Sequence, residues 1–259
     1  MELVGQRSLD RRALVSETAL VLLLSLGASA IWSLLSLVDK LTRGVALSRQ
    51  TTAMNSSVTP DRPWLDLTYQ LVQIALALVP VALALHLLAR DGAAGTRAAH
   101  AIGFDLRRPV GDLWRGAALA AAVGIPGLGL YLLARQLGVN TTVAAANLTE
   151  HWWTVPVLVL AAAQNAVLEE VVMLGYLFRR WLQAGWQIWS VILVSALIRG
   201  AYHLYQGLGG FVGNAVMGVV FGWVYTRGRR IMPLVVAHTL LDVVAFVGYT
   251  LAKGHLGWL

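Results

Sequence analysis

The sequence predicts an all-α protein: a polytopic transmembrane helix bundle of about seven membrane helices, with its amino terminus in the cytoplasm. Three observations predict it. Of 259 residues, 58% are hydrophobic and only 13% charged, against roughly 25% charged in ordinary soluble domains. Mean hydropathy is +0.67, and several windows of about 20 residues lack strong charge, as a ~30 Å hydrocarbon core requires. The basic residues also fall unevenly on alternate connections, which orients such a bundle. The length suits one domain, and the absence of cysteine excludes disulfides, thiolate metal sites and a cysteine nucleophile.

The first apolar segment, 15–38, follows Arg7, Arg11 and Arg12 as a signal peptide would. Its apolar run is too long for a cleaved leader and no clear A-x-A site follows, so it reads as an anchor. A connection rich in Ser, Thr and Arg, 39–64, closes on Pro60 and Pro63. Segments two and three, 65–89 and 114–134, flank the basic connection 90–115. Segments four to seven cover 154–178, 188–206, 209–226 and 232–252. All are Leu/Ala-rich and lack the alternation of a membrane strand. The turn Gln206–Gly210 (QGLGG) is short and uncharged, and can sink below the membrane surface where protein satisfies its backbone. Residues 1–135 thus carry helices one to three and 154–252 a four-segment core, within a single structural domain.

Arg7, Arg11, Arg12, five arginines from Arg90 to Arg115 (Arg97 included), Arg179, Arg180, Arg227, Arg229 and Arg230 place 13 basic residues on one side. The other side holds six, from Lys40 to Lys253, and Arg199 alone lies within a segment. The larger group marks the cytoplasmic side. Such flanks facing anionic lipid account for the net charge of +7. No basic patch with interleaved aromatics forms a nucleic-acid motif, so the bilayer, not nucleic acid, is the expected partner. The expected location is integral and multi-pass, in the plasma (inner) membrane of a bacterium.

Polar residues within the apolar runs carry the functional argument. An ionised carboxylate near the bilayer centre costs at least about 2.5–3.5 kcal/mol, so such residues usually mark function. Glu169 and Glu170 lie side by side in segment four, about 100° apart on a helix. They cannot face one small cavity equally: one does chemistry, and its neighbour holds a cation or a backbone group. His203 lies one turn after Arg199, and His238 and Asp242 are four apart, so each pair shares a helix face. The plain alternatives are an intrahelical pair that satisfies itself and a helix–helix hydrogen bond.

In order, Glu169-Glu170-Val-Val-Met-Leu174, then Arg199-Gly-Ala-Tyr-His203, then His238-Thr-Leu-Leu-Asp242 resembles the CAAX-protease and bacteriocin-processing (CPBP) family of intramembrane proteases. That family's pattern is E-E-x-x-x-R, F-x-x-x-H and H-x-x-x-N or a related residue. The resemblance covers about residues 154–250. It departs at three places: Leu174 stands for the arginine, Arg199 for the phenylalanine and Asp242 for the asparagine. The first two departures compensate if Arg199 pairs with Glu170 or Glu169.

The resemblance implies an intramembrane endopeptidase acting on a membrane-associated or peptide substrate. Glu169 would be general base with His203, while His238 and Asp242 would bind the oxyanion or hold the water. Glu169, His203, His238 and Asp242 are also a donor set for a divalent metal such as zinc, though the H-E-x-x-H spacing is absent; the metal-free account is preferred. Two other readings stand beside the endopeptidase. One is a catalytically silent relative acting as scaffold, immunity or partner-binding protein, motivated by Leu174. The other is a proton-coupled small transporter. Convergence of the site requires Trp181–Ile188 to continue as an inserted or tilted helix, or the QGLGG turn to sink.

Overall fold

The computed structural model describes residues 10–90 and 98–252; Arg7, Arg97 and Lys253 of the charge count lie outside them. In chain order the elements are α1 (Arg11–Leu23), α2 (Leu26–Thr42), a 3-10 turn (Leu47–Arg49), β1 (Thr51–Ala53), α3 (Pro63–Ala77), α4 (Val79–Arg90), α5 (Ala98–Ala101), α6 (Pro109–Gln136) and β2 (Thr142–Ala144). There follow α7 (Thr154–Glu169), a π-helix (Glu170–Tyr176), α8 (Leu177–Gln183), α9 (Ile188–Ala201), a 3-10 turn (Leu204–Gln206), α10 (Leu208–Gly228) and α11 (Met232–Ala252).

Each of the seven apolar segments is helical. Among the described residues, five helical units are long and apolar enough to cross a membrane, and six if α1 and α2, bent by 53°, count as one span. The seventh, α9, has 14 residues, about 21 Å at 1.5 Å per residue, and falls short of a ~30 Å core. The count of about seven spanning helices is corrected to that extent. Two short strands stand in the connections: β1 pairs in parallel with β2, Thr51 opposite Thr142.

The apolar perimeter and the packed centre are distinct. Leu20, Leu24, Leu76 and Leu197 are exposed, as lipid-facing side chains are. The core gathers around the π-helix, where Val171, Val172, Leu174 and Tyr176 pack with Ile192, Phe221 and Leu234, all nearly free of exposure. α11 packs along α6 and α7, and α10 along α9. A Cβ at Gly116 would lie 2.5 Å from Val236 Cγ1, so glycine there lets α6 lie against α11. Buried Arg180 donates to Glu17 Oε1 at 2.8 Å and ties α8 to α1. Arg230 spans Asp105 (3.0 Å) and Asp112 (2.6 Å), joining the approach to α11 with the start of α6.

The helix expected over Trp181–Ile188 is not formed: α8 ends at Gln183 and residues 184–187 turn. Trp181 stacks on Trp186 at 4.6 Å where the chain turns back towards α9. The QGLGG turn packs against the connection that follows α6, Asn140 opposite Gly207. Gly207 has φ +115°, and a Cβ there would lie 2.7 Å from Val139 O, so this approach requires glycine.

Candidate functional site

The site is built where α7 gives way to the π-helix. In a regular helix the two carboxylates would diverge. The wider π turn begins at Glu170, and such turns often occur at functional sites. Both Glu169 and Glu170 approach Arg199 and His238, but only Glu169 lines the cavity, and Glu170 is the one that holds the Arg199 cation.

Arg199 Nη2 donates to Glu170 Oε1 at 2.6 Å and lies 3.9 Å from Glu169 Oε2. The guanidinium and Glu170 are both almost wholly buried. Phe221 lies beneath it, with Cζ 5.5 Å from the ring centroid. Gly218 makes room: a Cβ there would meet Ala196 Cα at 2.8 Å and Arg199 Cδ at 3.3 Å. A carboxylate and a guanidinium out of water require each other, since either alone is costly.

His238 is oriented by the same carboxylate. Its Nδ1 donates to Glu170 Oε1 at 2.8 Å. Nε2 is left 4.0 Å from Glu169 Oε2 and 3.8 Å from Asp242 Oδ1. Asp242 Oδ2 accepts from Asn165 Nδ2 at 3.4 Å. His203 Nδ1 donates to Arg199 O at 3.1 Å, leaving its Nε2 as an acceptor. The Tyr202 hydroxyl donates to Glu169 Oε2 at 2.7 Å.

These groups divide by access. Glu169, Tyr202, His203, His238, Asp242 and Asn165 line one cavity of about 1320 Å³ between α2, α6 and α11. Glu170 and Arg199 sit behind it. The loop that carries His203 is fixed by elements far earlier in the chain. Ser33 Oγ donates to Tyr202 O at 2.7 Å and Lys40 Nζ to Tyr205 O at 2.7 Å. The Thr141 backbone N–H donates to Gln206 O at 2.8 Å.

The donors can be tested against a resident zinc, whose ligands lie at about 2.0–2.2 Å. Among the described residues, Glu169, Glu170 and His238 form the group with one ligand atom each inside 4.8 Å of the others. Glu170 Oε1, however, already accepts from both Arg199 and His238 Nδ1, and Glu169 Oε2 accepts from Tyr202. A resident cation there would sit beside the Arg199 guanidinium, 2.6 Å from Glu170 and 3.9 Å from Glu169. That like charge already balances the site, so this group is a poor fit for a metal. His203 and Asp242, of the set expected from sequence, fall outside it.

Tyr202 and Asn165 were not singled out from sequence. Asn165 carried a signal, an amide one helical turn before Glu169 in an apolar run. Tyr202 carried only its place beside His203.

Fold and site define a multi-pass helical membrane protein with a buried acid–imidazole cluster at the wall of a cavity. Residues 151–244 match the family model described as type II CAAX prenyl endopeptidase, Rce1-like. That match bears out the resemblance of the three motifs, and over those residues the chain is similar to a family of membrane proteases. No curated protein and no solved structure matches the chain.

Proposed function

We propose that this protein is an intramembrane endopeptidase that hydrolyses a peptide bond of a membrane-associated or peptide substrate with water activated by Glu169. The observation that carries the reading is the single cavity lined by Glu169, His203, His238 and Asp242, with Glu170 and Arg199 closed off behind it. A carboxylate in such a place can take a proton from water as its oxygen bonds to the scissile carbonyl carbon. His238 Nε2, between Glu169 and Asp242, can give or take a proton where charge builds on the carbonyl oxygen. When the C–N bond breaks, the proton held by Glu169 passes to the departing amine. His203 Nε2 can receive or relay it. Arg199 and Glu170 act by holding His238, and no metal enters any step.

The reading of a silent relative rested on Leu174. A guanidinium does stand at Glu170, supplied by Arg199 from a different helix, which supports the endopeptidase reading over the silent one. The test is cleavage of membrane-anchored peptides, with and without a prenylated CaaX end, by protein in liposomes. Cleavage abolished by Glu169→Gln and by His203→Ala supports the proposal. Proton flux without cleavage favours a transporter, and neither activity a silent relative.

A further inference from the structure

We infer that Tyr202 is a positioning residue for Glu169, its phenol holding one carboxylate oxygen so that the other is left to the cavity; the kinetic consequence, though not the contact, rests on the endopeptidase reading. The two glutamates are restrained differently. Glu170 has two close donors, Arg199 and His238 Nδ1, both on Oε1, while its buried Oε2 has none among the described residues. Glu169 has one close donor, the Tyr202 hydroxyl on Oε2 at 2.7 Å; the guanidinium at 3.9 Å and His238 Nε2 at 4.0 Å are beyond hydrogen-bond reach.

A glutamate side chain has three rotatable bonds, and a general base must hold its oxygen within a fraction of an ångström of the proton it takes. Without the phenol, nothing at hydrogen-bonding distance would fix Glu169. Tyr202 is itself fixed on three sides. Its carbonyl accepts from Ser33 on α2, its N–H donates to Ile198 O, and its ring lies 4.8 Å from that of His203. It is 4% exposed yet lines the cavity. One side chain thus links the turn that carries His203 to the base on α7. Its neighbour, Ser33, belongs to a segment outside the matched residues 151–244.

The test compares wild type with Tyr202→Phe, which removes one oxygen and keeps the ring. Both are treated with dicyclohexylcarbodiimide, an apolar carboxyl reagent, in detergent, and labelling at Glu169 and Glu170 is resolved by fragment-ion mass spectrometry. Glu169 should label about ten- to a hundredfold faster in Tyr202→Phe, the size of one hydrogen bond to a charged group. Glu170 should be unchanged. On a peptide that the wild type cleaves, kcat should fall about ten- to a hundredfold, with KM within about twofold. Equal Glu169 labelling in the two proteins, with matched thermal unfolding, overturns the inference. So does a loss of activity carried by KM alone. If the wild type cleaves no peptide, the endopeptidase reading fails, and the labelling ratio still decides the contact.

Discussion

Arg199, on α9, and Glu170, at the first position of the π-helix, form a buried ion pair at 2.6 Å. His238 from α11 donates to the same carboxylate oxygen. Three segments distant in sequence are joined at one atom.

Removing one member of that pair strands the other in a dry site. Arg199→Met and Glu170→Gln should each lower stability by about 3–5 kcal/mol. The double variant should recover part of the loss, because no uncompensated charge remains. Thermal unfolding in detergent across the four proteins of the cycle measures the coupling. Simple additivity would mean the pair does not act as a unit.

The close approach of α9 and α10 depends on Gly218. With 2.8 Å between a new Cβ and Ala196 Cα, Gly218→Ala must push the helices apart or shift Arg199. Overpacking of this kind costs about 1–3 kcal/mol. The unfolding midpoint should fall, and activity with it.

Much of this was legible in the sequence, for identifiable reasons. Charges within apolar runs are costly, so Glu169, Glu170, Arg199, His203, His238 and Asp242 stood out without a structure. The need of a buried carboxylate for a partner pointed to Arg199. The π-helix was not legible, because Val171–Tyr176 is as apolar as any α-helical stretch and periodicity does not register one added residue in a turn. The shortness of α9 was hidden by Tyr202–Gln206, whose composition continues the apolar run although the backbone turns there. β1 and β2 have three residues each, too few to give an alternating pattern.

The amino-terminal helices belong to the site through the loop they hold. Lys40→Met removes the ammonium that donates to Tyr205 O while keeping the aliphatic stem. A displaced His203 should lower kcat by about ten- to a hundredfold, since misplacements near 1 Å have that effect. Lys40→Arg, which can still donate, should retain more activity than Lys40→Met in steady-state assays.

Chelation tests the metal-free account. Activity should survive dialysis against EDTA and 1,10-phenanthroline, because Glu170 and His238 hold each other and Arg199 rather than an ion. Complete loss, restored by added zinc, would contradict it.

At the other end of the bundle, Asp105 offers a pH handle outside the membrane segments. The Arg107 backbone N–H first, and then the Arg230 guanidinium, hold its carboxyl well below the usual range. A depressed carboxyl stabilises the folded state above its unfolded value, about 3.9. That contribution is lost as pH falls through the folded value. Wild type should therefore lose stability below about pH 4 more steeply than Asp105→Asn, as acid unfolding followed by tryptophan fluorescence would report.

The most direct measurement is the rate at which protein in liposomes cleaves a membrane-anchored peptide in oxygen-18 water, wild type against Glu169→Gln. The account predicts one heavy oxygen in the new carboxylate for wild type, and a rate lower by at least about a hundredfold for Glu169→Gln, the scale of a general base. Cleavage by Glu169→Gln at the wild-type rate would contradict it.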